Sequence, residues 1–206
     1  YYGSNDRRHN DGMMFAKQGW VRWKSLFGDE RQSLKLGRFE FSDGLETVPA
    51  NATLAALKRT RVSQRLIGPF GWSHVGRSFD GLHYSLSAGK NNVTFVGAMP
   101  TRGAFQVDGW GNLNIGFGYL SYNRQVGGGK SAGELRLMGI YYQDWRHVLK
   151  TDNRSAAARQ ADMANVRIGT FGGHYVHAFE TGAGTFDLMA WGVGQTGKWG
   201  VQDHRA

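Results

Sequence analysis

The stretch that decides the fold is ELRLMGIYYQDWR, Glu134 to Arg146. Strand side chains alternate between two faces. With that period Leu135, Leu137, Gly139 and Tyr141 share one side, and Glu134, Arg136, Met138, Ile140, Tyr142, Asp144 and Arg146 share the other. The first side is free of charge and the second carries four charged groups. A helical period would mix the two sets, so the segment reads as a β-strand. NLNIGFGY, Asn112 to Tyr119, repeats the rhythm, with Leu113, Ile115, Phe117 and Tyr119 opposite Asn112, Asn114, Gly116 and Gly118.

Outward from these two, the same period predicts strands at Phe15 to Leu26, Ser33 to Phe41, Ser78 to Ala88, Asn92 to Met99, Asn165 to Phe179 and Thr185 to Lys198. Several exceed the ~5–6 residues of an average globular strand and suit a tilted strand that needs ~9–11 residues to cross a bilayer. GDERQ (Gly28 to Gln32) and TGAG (Thr181 to Gly184) read as tight turns, and Leu149 to Ala164 reads as a long polar loop. ANATLAALKRTRV, Ala50 to Val62, breaks the rhythm. Leu54, Leu57 and Arg61 fall at helical spacing there, which predicts a short helix within a long loop, lying in the mouth of a barrel. Trp110, Trp145 and Trp199 fall near strand ends, where amphipathic rings settle at a membrane interface; filling of a β core is the other reading of the tryptophans.

The 206 residues carry a formal net charge of +9 with no block of Lys and Arg; the charges stand singly among aromatic and Gly-rich segments. That pattern fits a nucleic-acid binder or an anion-conducting surface. Gly, at 31 residues, is about twice its average usage, and Pro49, Pro69 and Pro100 each fall where a strand would begin or end. Absence of Cys excludes disulfides, thiolate metal sites and cysteine nucleophiles. No run approaches the ~20 apolar residues of a membrane-spanning helix. The opening YYGSND has neither Met nor an apolar leader, so the expectation is a fragment lacking its export signal.

Three motifs fail on inspection. GGGKS, Gly127 to Ser131, has Arg124 where a phosphate loop needs its first Gly, and a strand follows where a helix is required. His174 and His177 point to opposite faces of one strand, and His83 stands alone, so no metal is expected. Glu40 and Asp43 invite an acid–base pair, against the alternative of an ion-pair residue on a strand and a turn residue in SDG. No enzyme activity and no cofactor follow.

Single arginines decide the remaining reading. In SLKLGRFEF, Leu34, Leu36, Arg38 and Glu40 share one face; in GRSFDGLHYSLSA, Leu82, Tyr84, Leu86 and Ala88 form an apolar face headed by Asp80, with Arg77, Phe79 and His83 opposite. The ordered motifs GRFE (Gly37 to Glu40), RLIG (Arg65 to Gly68) and GRSFDG (Gly76 to Gly81) resemble the alginate export family of outer-membrane β-barrels. YYQDWRH, DNR, VRIGTFGGHYVHAFETGAG and the Gln195 to Gly197 element agree more loosely, extending the resemblance from about Ser33 to Gly200. Phe39 replaces a usual polar residue, and some twenty residues intervene before RLIG, which leaves the solute open between alginate and another anion.

The resemblance implies an all-β antiparallel meander forming part of a transmembrane barrel of about eighteen strands. Residues 1–206 would supply about eight of them as an open, curved sheet, with the short helix in one long loop. It further implies a bacterial outer-membrane channel for passive export of an anionic polysaccharide such as alginate, or a related organic anion. Its partners would be outer-membrane lipid, the anion and periplasmic export proteins, with no nucleic acid, metal or cofactor. Arg38, Arg65 and Arg77 would contact the anion in the lumen, oriented by Glu40 and Asp80. Arg136, Arg146 and Arg167, with Asp144, join them on period alone. A structural ion-pair network is the alternative for all of these, and a soluble basic β protein binding a polyanion is the alternative for the whole.

Overall fold

Alternation builds one antiparallel sheet of nine strands in sequence order in the computed structural model, which describes residues 14–73, 75–103 and 110–206. The strands are β1 (Gly19–Lys24), β2 (Gln32–Phe39), β3 (Phe79–Ala88), β4 (Asn91–Pro100), β5 (Ile115–Gly128), β6 (Ser131–Asp144), β7 (Val166–Thr181), β8 (Gly184–Trp199) and β9 (Gln202–Arg205). Each pairs with its sequence neighbours, and β1 and β9 are the two edges of an open sheet.

Two expected strands change length. β1 occupies only Gly19–Lys24 of the expected Phe15 to Leu26. The expected Asn112 to Tyr119 strand begins at Ile115 and continues to Gly128, because its ladder with β6 extends through Asn123↔Arg136 to Gly128↔Ser131. Backbone pairing does not depend on side-chain polarity, so the polar run after Tyr122 hid the continuation.

Connections differ sharply between the two ends of the sheet. Gly89–Lys90, Gly129–Lys130 and Gly182–Ala183 close two-residue hairpins at one end, where the longer connection 25–31 joins β1 to β2. Gly127 and Gly129 have φ of 70° and 58°, a backbone conformation that costs Gly nothing; GGGKS is therefore a hairpin turn. At the other end run the long connections 40–78, 101–114 and 145–165, beside the two-residue turn 200–201 between β8 and β9.

Connection 40–78 folds back along one face of the sheet. It contains helix α1 (Ala52–Leu57), capped by Asn51, whose Oδ1 accepts from Leu54 N at 2.8 Å, and a π-helical turn over Lys58–Val62. Asn51 also donates to the Gly129 carbonyl at 2.9 Å, so the segment reaches the hairpin end before returning. The core lies beneath it. Phe39, Phe41, Phe79, Val96, Ala98, Tyr119, Met138 and Ile140 form one buried cluster, with Leu66 and Ile67 packed on it. Leu54 seals a second cluster with Ala132, Val176 and Ala178.

Connection 145–165 carries helix α2 (Ala156–Ala161), which the polar composition of Leu149 to Ala164 concealed. Asp162 ties this loop together: it accepts from Arg154 Nη2 at 2.7 Å, Ala164 N at 3.0 Å and Val201 N at 3.2 Å. The Arg154 hydrogen bond, with those amides, holds the Asp162 carboxyl at about 2 against an ordinary 3.8. A depressed carboxylate stabilises the fold above its unfolded value and stops doing so as pH falls through the folded one. Amide exchange at Ala164 and Val201, corrected for intrinsic rates, is expected to accelerate between pH 4 and pH 2; unchanged protection would refute this role for Asp162.

Candidate functional site

The sheet has two chemically different faces. The one beneath connection 40–78, called the covered face, takes Phe39, Phe79, Val96, Tyr119, Arg136, Ile140 and His174 from successive strands. The bare face takes the alternate residues, including Val21, Leu36, Leu82, Phe95, Leu120, Leu137, Tyr141, Phe171 and Leu188. Leu137, Phe171 and Phe186 are 56%, 64% and 62% exposed, so nothing among the described residues covers this surface there. On β7 the bare-face positions from Gly169 to Phe179 span about 34 Å at ~3.4 Å per residue. A strand tilt of ~40° reduces that to about 26 Å, close to the ~25 Å lipid-facing band of outer-membrane barrels.

Charge on the bare face stands at its rims. Arg124 lies toward the hairpin end, and Arg38, Asp80, Arg167 and Lys198 toward the long-loop end. Trp145, an expected interface residue, lies against Gly116 at the same long-loop rim. His177 lies on this face toward the hairpin end; it is hydrogen-bonded to Ser131 and Tyr175 and stacked on Phe179.

The covered face holds a buried charge network. Arg136 Nη2 donates to Asp43 Oδ2 at 3.1 Å, and its Nε lies 3.7 Å from Glu46 Oε1, which also accepts from the Tyr119 hydroxyl. Asp43 Oδ1 accepts from the amides of Leu66 and Ile67, joining the outgoing and returning limbs of the connection. Glu134 accepts from Lys58 Nζ at 2.8 Å and from the Thr47 hydroxyl, with His174 Nε2 3.3 Å away. The side chains of Lys58, Glu134, Arg136 and Asp43 are at most 1% exposed. Burial lowers the Lys58 pKa from its ordinary value, and Glu134 opposes that shift. The network anchors connection 40–78 to the sheet.

The expected site residues therefore separate. Arg77 and Arg146 line one cavity on the covered side, and Arg65 stands over Trp191 at 6.0 Å on that side, its Nε donating to the Arg61 carbonyl. Arg136 is on the covered face but sealed in the network. Asp144 does orient Arg146, which donates to it through Nε and Nη2 at 3.0 and 2.8 Å. Arg38 and Arg167 stand on the bare face instead. Arg38 Nε and Nη2 grip both Asp80 oxygens at 2.7 Å, and the guanidinium also donates to the carbonyls of Ala16 and Trp110. Asp80 thus orients Arg38, on the face shared with Leu34, Leu36 and Leu82. Glu40 lies beyond the end of β2 and pairs with Lys17 at 3.3 Å, away from Arg38.

Sequence reasoning missed Lys58, Glu46 and Tyr119 as members of the network and set Asp43 aside as a turn residue. SDG does make a turn, but the Asp43 side chain is aimed inward at residues far away in sequence. His174 and His177 do occupy opposite faces, and among the described residues no group of His, Asp and Glu could hold a metal. No family model matches this chain, and no curated protein or solved structure matches it significantly.

Proposed function

We propose that the chain forms part of the wall of a bacterial outer-membrane β-barrel channel, its bare face against lipid hydrocarbon and its covered face toward an aqueous conduit. The anions passed are acidic saccharides such as alginate, or related organic anions, as the resemblance to the alginate export family implies. The observation that carries this reading is the bare face itself: uncovered apolar side chains run from β1 to β8 with charges at the two rims. Soluble monomers rarely expose contiguous apolar patches beyond a few hundred Å². Three of the four connections at one end are two-residue hairpins and three of the four at the other are long, in agreement with barrels that have short periplasmic turns and longer outer loops.

Electrostatics supports the anion preference. A net charge of +9 with Arg65, Arg77 and Arg146 on the covered side gives a positive field in which carboxylates concentrate. Arg38 and Arg167, at the rims of the bare face, take no part in the conduit and fit interfacial positions, where charge is tolerated.

The full-length protein in planar lipid bilayers under a potassium chloride gradient is expected to show a reversal potential that reports anion preference. Replacing Arg77 and Arg146 together by Gln is expected to lower the anion-to-cation permeability ratio several-fold. Cation selectivity, or a protein that stays in water without detergent and binds polyanions with steep salt dependence, would overturn the reading.

A further inference from the structure

Between the returning limb of connection 40–78 and the long-loop end of the covered face lies a cavity of about 400 Å³, within the range of small-molecule sites. Most of its wall is hydrocarbon, supplied by Leu66, Ile67, Ile115, Phe117, Ile140 and Ile168. Polar groups reach it from Arg77, Arg146, Tyr142, Thr170 and Gln195. Gln195 Nε2 donates to Thr170 Oγ1 at 3.0 Å, so these two are engaged with each other.

The two guanidiniums differ in kind. Arg146 is compensated by its two hydrogen bonds to Asp144. Arg77 makes no ion pair among the described residues; its Nε is buried without a hydrogen-bond partner, and its guanidinium lies over the Phe70 ring at 4.9 Å. Burial, together with repulsion from Arg146, pulls the Arg77 pKa down, and among the described residues no carboxylate pairs with this cation. Two guanidiniums and one carboxylate leave the cavity a single positive charge, set at one side of an apolar chamber.

We propose that this cavity binds an organic monocarboxylate with an apolar body, its carboxylate on Arg77 and its hydrocarbon among the isoleucines. The binding stands on the cavity alone; its place on a transport route rests on the channel reading above. A uronate fits less well. Each uronic acid residue brings several hydroxyl groups, and a hydroxyl buried against Ile140 or Ile168 without a partner loses its water hydrogen bonds. The carboxylate would gain a charge-assisted pairing with a guanidinium whose buried Nε has no partner among the described residues.

Isothermal titration of the full-length protein in detergent tests this with three probes: 3-phenylpropionate, its neutral amide and glucuronate. The phenylpropionate is expected to bind saturably, with the amide and glucuronate each about tenfold weaker or worse. Arg77→Gln is expected to weaken the phenylpropionate by about tenfold or more, the loss of one charged hydrogen-bonded contact. Equal binding of the amide or of glucuronate overturns the proposal, as does absence of phenylpropionate binding or indifference to Arg77→Gln. The probe comparison uses the unaltered protein, so it decides even if the variant fails to fold. Binding without conductance would overturn the channel reading and leave the site; anion conductance without binding would do the reverse.

Discussion

Glu134→Ala is expected to cost about 3–5 kcal/mol of folding stability, the cost of stripping a buried ion of its partner. Lys58 is the ion left behind. Its side chain is 1% exposed and donates to Glu134 and to the Thr47 carbonyl and hydroxyl. With the carboxylate gone, the ammonium must lose its proton or draw connection 40–78 away from the sheet. Since α1 and the π-helical turn hold that connection on β7 and β6, its release should open Arg59 and Arg61 to trypsin before global unfolding. Urea titration of the folded protein in lipid or detergent, read beside limited proteolysis, measures both effects. Replacing Glu134 and Lys58 together by Leu and Met removes both charges and is expected to recover most of the loss, because apolar substitutes for a buried pair are often neutral or better. A single variant as stable as the parent would mean that the network contributes nothing to anchoring.

Leu137→Arg is expected to cost about 2–4 kcal/mol for protein folded in lipid vesicles, the cost of a cation near the bilayer midplane. Leu137 sits mid-strand on the bare face, between Leu135 and Gly139. The same substitution at Gln143, on the same face but at the long-loop rim, is expected to cost about 0–1 kcal/mol, because the penalty falls toward the interface. That depth dependence is what a membrane imposes and water does not. For a surface facing water, Leu137→Arg would fall within about ±0.5 kcal/mol. Equal and small effects at the two positions, in urea titrations from vesicles, would remove the lipid-facing assignment and the channel with it.

Sequence alone determined eight of the nine strands in outline, β9 being unexpected, and the membership of each face within them. In β3, β6 and β7 the two-residue rhythm sorts side chains without reference to anything distant, since a strand places alternate Cβ atoms on opposite sides. Leu135, Leu137 and Tyr141 had to share a side wherever the strand was put, and so did Arg38 with Leu34 and Leu36. The helix in 50–62 was legible for the same local reason: Leu54 and Leu57 fall one turn apart.

Only the tertiary structure decided which side is covered and which is bare, because parity within one strand carries no information about its neighbours. Register between strands and the path of connection 40–78 settle it, and these rest on contacts between residues far apart in the chain. Lys58 meets Glu134 across 76 positions, and Arg136 meets Asp43 across 93. Arg38, grouped by its motif with Arg77, is parted from it by the pairing of β2 with β3: Arg38 joins Asp80 on the bare face, while Arg77, before β3 begins, lines the cavity on the other. A guanidinium is solvated, paired or sealed by what closes over it, and here that is a connection of residues 40–78 packed on strands that come much later in the chain.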